Sequence, residues 1–319
     1  MFFKRGISFL FVLVLVETAF GFAAERLFFF QKTGKYSRLT HSISNDKSDI
    51  LIMGSSHATR HYVPEVFLKG LNKTCYNAGV QGQKILFQSA LQKLIFKQNT
   101  PELLIFNIDE DWMYLADTAY ERLADLYPYY WDNREELKPV FSLRDRFVDL
   151  KLLSRCFQYN STILHIIKYF FNPQKDFSGY RPLDGKMHPP KKNNTGKKAM
   201  HARRKDKKNK EIDINFVQAF ESIINISCQS GVELVFVISP MVKGADISTP
   251  NYSLELMLKK AKEKKIPVFD FRMDKSFVHQ FQLFYDRTHL NNDGALLFSK
   301  KLVDLLKTYP LSANFKFEG

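Results

Sequence analysis

A glycine, two serines and a histidine, Gly54-Ser55-Ser56-His57, stand directly after the apolar run Ile50–Met53. A serine at such a strand-to-helix turn lifts its hydroxyl above the sheet edge, and N–H groups at the helix start face a developing oxyanion. Far along the chain, Asp286 and His289 stand three residues apart, just ahead of a helical pattern. At that spacing the carboxylate reaches one imidazole nitrogen and leaves the other to take a proton from a hydroxyl. Between them, Asn77-Ala-Gly79-Val-Gln-Gly82 places two glycines where the backbone can approach closely or turn an N–H outward. Each feature alone reads equally well as a turn, a loop or a helix cap. Jointly they supply a nucleophile, a base, a carboxylate and an oxyanion donor, the parts of acyl transfer through a serine.

These parts need a scaffold that gathers them. Short apolar runs at Ile50–Met53, Thr74–Asn77, Leu103–Ile108, Val232–Ile238 and Ile266–Phe271 alternate with helical patterns at Ile85–Phe96, Phe216–Cys228, Leu254–Lys264 and Gly294–Leu306. Strands separated by helices predict βαβ units, hence an α/β domain with a central parallel sheet covered on both faces. Ligands gather at the carboxyl ends of such strands, where the serine and the glycines fall.

In this order and context the residues resemble the SGNH/GDSL hydrolase superfamily, from about Asp49 to Leu306. More narrowly, they resemble membrane-anchored bacterial SGNH-like proteins related to polysaccharide O-acetyltransferases and teichoic-acid D-alanylation accessory factors. The resemblance implies a three-layer α/β/α, flavodoxin-like domain. Ser56 matches the serine nucleophile, with Ser55 in place of the usual aspartate. Asp286 and His289 match the Asp-x-x-His of the last block. Gly82 matches the glycine whose N–H, with that of Ser56, binds the oxyanion. The third block departs: Gly-x-Asn-Asp is replaced by Phe106-Asn107-Ile-Asp109-Glu110-Asp111, with Asn107 inside the strand run. The implied activity is an acyl esterase or O-acyltransferase working on a cell-envelope carbohydrate ester. The alternative is a degenerate member that binds glycan or assists envelope assembly without turnover.

Other residues have quieter readings. His57 is a structural or substrate-side neighbour of the nucleophile, and His41 and His61 read as surface residues. Asp109, Glu110 and Asp111 either cap the third strand or face a cation or acceptor sugar. Ser239, ending the fourth run before Pro240, borders the cleft, and Asn107 is a further substrate-side candidate. The eight histidines include no HExxH or paired ligand spacing, so no metal and no cofactor is expected.

The N-terminus carries Lys4 and Arg5 before Gly6–Ala24, which is nearly all apolar apart from Glu17. That length suits a single membrane span with the basic end in the cytoplasm and the α/β domain on the periplasmic side. A cleaved signal peptide and a buried helix are the rival readings, and Glu17 counts against a simple anchor. The expected organisation is therefore an anchor or signal segment at 1–30 and a linker at 31–48. The α/β domain follows at 49–116 and 211–310, with an aromatic-rich helical insertion at 117–185 and a basic disordered loop at 186–210.

The chain of 319 residues has a formal net charge of +14. Between Lys186 and Lys210, nine Lys and two Arg stand against the single acid Asp206, so most of the excess is local. This is a solvated insertion, or a contact for anionic lipid or an anionic polymer. It has no interleaved aromatics, and nucleic acid is not an expected partner. Three distant cysteines, Cys75, Cys156 and Cys228, exclude a disulfide scaffold and a cysteine zinc module.

Overall fold

A strand covered by helices on both faces has no polar side, so it reads as an unbroken apolar run. The computed structural model, which describes residues 2–160, 162–189, 211–242 and 250–309, forms strands within all five expected runs, with β1 and β3 buried throughout. In chain order the elements begin with α1 (Phe2–Phe29), α2 (Lys35–Ser44), β1 (Ile50–Met53), α3 (Ser56–His61), α4 (Pro64–Leu71) and β2 (Cys75–Asn77). Next come α5 (Ile85–Gln98), β3 (Leu103–Asn107), α6 (Asp117–Glu121), α7 (Arg134–Phe141), α8 (Val148–Lys151), α9 (Arg155–Tyr159) and α10 (Ile163–Phe171). The last are α11 (Ile214–Gln229), β4 (Glu233–Ile238), α12 (Tyr252–Glu263), β5 (Val268–Asp270) and α13 (Asn292–Thr308). The chain divides into two units, residues 46–89, 99–116 and 177–319 in one and residues 1–45, 90–98 and 117–176 in the other.

The first of these is a three-layer α/β unit. Its sheet has the order β2-β1-β3-β4-β5, and every pairing is parallel. Alternation along the strands sends Ile50, Ile52, Leu103, Ile105, Val235 and Val237 to one face, where they meet Tyr62, Phe298 and Leu302 from α4's approach and α13. On the other face Phe106 packs edge-on against Trp112 and Phe236, and Phe236 stacks on Phe220 of α11. Parallel strands need these helical crossovers, so the carboxyl ends of β1, β2 and β3 share one rim.

The second unit is helical. Its α1 holds a stretch, Phe3–Phe29, long and apolar enough to cross a membrane, with a mean hydropathy of 2.2 over its most apolar 18 residues. Gly21 lets α9 come close: a Cβ there would lie 2.3 Å from that of Arg155. Phe28 is the centre of an aromatic core with Tyr36, Tyr129 and Tyr159, its ring 5.1, 5.7 and 5.6 Å from theirs. The polar segment expected as a linker is instead mostly the helix α2. Its Tyr36, Leu39 and Ile43 are buried at helical spacing, and Asp125 accepts hydrogen bonds from the Tyr36 hydroxyl and from Lys35. Residues 190–210 of the expected basic loop lie outside the described residues.

Candidate active site

Ser56 is the first residue of α3, and the turn that puts it there depends on Gly54. Gly54 has a φ of +141°, and a Cβ on it would sit 2.9 Å from the Asn107 carbonyl oxygen. The Gly54 carbonyl accepts from Val80 N–H and from the Gln88 side chain, which fixes the turn against the loop after β2. Ser55 is the N-cap of α3, its hydroxyl accepting from His57 N–H at 3.4 Å. Ser56 N–H opens the first helical turn, where no intrahelical acceptor exists.

The imidazole arrives from the opposite end of the chain. His289 Nε2 is 2.8 Å from Ser56 Oγ, across 233 residues of sequence. Its Nδ1 lies 2.9 Å from Asp286 Oδ2 and 3.1 Å from Oδ1. With Nδ1–H donating to the carboxylate, the Nε2 lone pair is left to accept from the serine hydroxyl. The Asp286 carboxylate also receives the N–H of Thr288 at 2.8 Å, the Thr288 hydroxyl at 2.9 Å and the N–H of His289 at 2.9 Å. Burial pushes its pKa up, but the His289 side chain and these N–H donors outweigh burial and bring it down to about 2. For His289 burial is the stronger influence: it holds the imidazole below the usual histidine range, and Asp286 only partly offsets this. The base is thus neutral, and able to accept a proton, at neutral pH.

A serine after β1, an Asp-x-x-His before the last helix, and the strand order β2-β1-β3-β4-β5 occur here in one unit. The parallel sheet with helices on both faces is the architecture that the resemblance to the SGNH hydrolases implies. No family model matches the chain, and no curated protein does. Among solved structures it is similar to a lipolytic protein of the G-D-S-L family from Desulfitobacterium hafniense DCB-2, with 10% identity, 80% of this chain and 98% of that one covered, and a TM-score of 0.39. It is similar also to a protein described as a platelet activating factor from Streptococcus pneumonia, with 12% identity, 95% and 99% covered, and a TM-score of 0.40. A third is the acetyl xylan esterase AlAXEase, with 11% identity, 81% and 98% covered, and a TM-score of 0.37. Likenesses at this level carry no activity over to the chain.

Within the α/β unit, Gly82 lies in the turn after β2 with a φ of +78°, a conformation that favours glycine. Gly79 has a different task. Its N–H donates to Asn77 Oδ1 at 3.0 Å, and a Cβ would lie 2.6 Å from Thr59 N, so it lets the loop lie against α3.

The acids after β3 are each already engaged. Asp109 accepts from Ser55 Oγ–H, from Asn107 Nδ2 at 3.0 Å and from His57 Nδ1–H at 2.6 Å. Glu110 pairs with Arg272, and Asp111 with Lys84. For Asp109, burial raises the pKa, yet the facing His57 holds it below the usual carboxylate range. For His57, burial opposes the charge, but Asp109 raises its pKa overall. A second imidazole–carboxylate pair therefore stands beside the first, with the His57 and His289 rings 5.6 Å apart.

Two of the expected substrate-side residues, Asn107 and Ser239, lie beneath the site instead. Asn107 is fully buried and Ser239 nearly so. The Asn107 Oδ1 accepts from the Ser239 hydroxyl and from Tyr62 O–H at 2.7 Å, so its amide is spent on structure. His61, expected at the surface, is also fully buried. Its Nε2 accepts Leu290 N–H at 3.0 Å, and burial, with the neighbouring His57 and His289, keeps it neutral. His41 is exposed.

One contributor was missed at the sequence level. Residues 177–187 run along the rim as a strap. Ser178 O receives Asn77 N–H at 2.9 Å, Arg181 N–H donates to Thr59 O at 3.0 Å, and Met187 N–H donates to Phe284 O at 2.7 Å. Gly179, with φ +85°, leaves no room for a side chain, since a Cβ would fall 1.9 Å from Asn77 O. The Arg60 guanidinium fastens the strap by donating to Arg181 O at 3.0 Å. The only sequence signal was this glycine, which carries no ligand-directed chemistry of its own.

Proposed function

We propose that the chain is an exported, membrane-tethered serine esterase or O-acyltransferase acting on an acylated cell-envelope carbohydrate. The observation that carries the reading is the 2.8 Å approach of His289 Nε2 to Ser56 Oγ, with Asp286 on the far nitrogen. In the acylation step His289 takes the Ser56 proton as Oγ bonds to the ester carbonyl carbon. The resulting oxyanion is met by the N–H of Ser56 and, by resemblance, that of Gly82. The tetrahedral adduct collapses, the C–O bond to the alcohol breaks, and the imidazolium returns its proton to the leaving oxygen. His289 then deprotonates water, giving an acid, or a sugar hydroxyl, giving a transferred ester, and Ser56 is released. Asp286 orients the ring and stabilises the imidazolium without taking its proton.

The apolar helix α1 supports a tether that leaves the SGNH-like unit on the extracytoplasmic side, with Lys4 and Arg5 on the cytoplasmic side. The carbohydrate ester rests on the family resemblance and this placement. One observation favours a second reading, a glycan-binding or assembly protein without turnover: the Asn107 amide donates to Asp109 and is not offered to an oxyanion.

Labelling with a fluorophosphonate probe separates the two. The proposed enzyme labels at Ser56, and Ser56→Ala abolishes both labelling and hydrolysis of p-nitrophenyl acetate while its melting temperature is retained. A properly folded wild-type protein that neither labels nor hydrolyses overturns the enzymatic reading.

A further inference from the structure

Helix α1 is free of its own unit only over its first half. From Glu17 on, one side is covered: Glu17 accepts the Ser154 hydroxyl at 2.9 Å and Cys156 N–H at 3.0 Å. Gly21 lies against Arg155, and Phe28 against Tyr159. At 1.5 Å per residue, Phe3–Val16 reaches only about 21 Å, whereas a bilayer's hydrocarbon core is about 30 Å thick and needs about 20 residues. A helix that crosses must therefore draw Glu17–Phe22 into the membrane, and the segment packed on it follows.

That segment is dressed for the purpose. Leu150 and Leu153, next to the Glu17 contact, are 66% and 65% exposed. On α10, Ile166 is buried while Leu164, Ile167, Phe170 and Phe171 are exposed, an apolar stripe at helical spacing. The charges at the contact between α1 and α9 are paired, as hydrocarbon requires: Glu17 has its two donors, and Arg155 meets Glu25 at 2.7 Å. Lys168, on the exposed side of α10, can reach anionic headgroups with its long stem.

We infer that α8, α9 and α10 form a membrane-embedded collar around α1, with Leu150, Leu153 and the α10 stripe dissolved in the acyl chains of the leaflet at the C-terminal end of α1. This rests on the reading of α1 as an anchor that is kept. The occupant of the apolar surface is lipid, because the surface continues that of α1 within the same unit.

The test uses the full chain, with Cys156→Ser and Cys228→Ser, reconstituted in phosphatidylcholine–phosphatidylglycerol vesicles with and without bromine in the acyl chains. A bimane fluorophore is placed singly at Leu10→Cys, Leu153→Cys, Phe170→Cys and Glu121→Cys. Leu150→Cys and Leu164→Cys replace any collar variant that fails to fold. The collar predicts that bromine quenches positions 153 and 170 as strongly as position 10 and leaves position 121 unquenched. Quenching at 10 without quenching at 153 and 170 overturns the collar while the anchor stands. Absence of quenching at position 10 overturns the anchor reading itself, and the collar with it.

Discussion

Replacing His57 by asparagine (His57→Asn) probes the second imidazole without touching the proposed triad. The asparagine amide can keep an N–H directed at Asp109, but it cannot carry a charge. Asp109 raises the His57 pKa, so His57 is cationic over the pH range in which His289 titrates, and this cation helps hold His289 below its ordinary value. The rings are 5.6 Å apart. At that separation two unit charges interact by about 3 kcal/mol at an effective dielectric constant of 20 and about 0.7 kcal/mol at 80. Divided by about 1.36 kcal/mol per unit, this is roughly 0.5 to 2 units of pKa. The sign follows from the base being active when neutral. Removing the cation raises the His289 pKa, so the acid limb of kcat/KM moves to higher pH by that amount and activity at pH 6 falls more than at pH 8. The assay is p-nitrophenyl acetate hydrolysis from pH 4.5 to 9. An acid limb that stays in place, or moves to lower pH, refutes the coupling between the two pairs.

The other expectations are simpler. Asp286→Asn reverses the hydrogen-bond preference at His289 Nδ1 and should lower kcat/KM by about 10⁴ while fluorophosphonate labelling slows in parallel. Gly179→Ala forces a Cβ onto the Asn77 carbonyl at positive φ and should destabilise the protein by about 2 kcal/mol or more, seen as a lower melting temperature. An unchanged melting temperature would mean the strap is not seated on β2. Tyr62→Phe removes one donor to the buried Asn107 and should cost about 1 kcal/mol in a urea melt, with little effect on labelling of Ser56.

The strands were legible because burial on both faces leaves no polar residue within Ile50–Met53 or Leu103–Phe106. The Ser56, Asp286 and His289 set was legible because Ser56 follows a glycine at the start of a helix and the Asp-x-x-His spacing is chemically telling. The second pair was not. Asp109, Glu110 and Asp111 are equivalent in composition, and only the tertiary placement of His57, Arg272 and Lys84 gives each a different partner. His61 was misplaced because groups that cover it, the Leu290 N–H and the rings of His289 and Phe298, come from far away in sequence. The helix α2 was hidden by polar residues that bury by satisfying themselves: Ser42 donates to the carbonyls of Arg38 and Leu39. The strap left no periodic trace because backbone bonds and the Arg60 guanidinium fasten it.

The fastening of His289 also has a temporal side. Leu290 N–H ends on His61, Ser299 Oγ accepts Val63 N–H and donates to the His61 carbonyl, and His289 itself meets Ser56, all across more than 220 residues. A ribosome releasing the chain from its N-terminus therefore exposes Ser56 long before the imidazole it meets exists. Until the final helix has emerged and docked, position 56 holds an ordinary alcohol, and a chain truncated ahead of Asp286 would fold, if at all, without a proton acceptor for it.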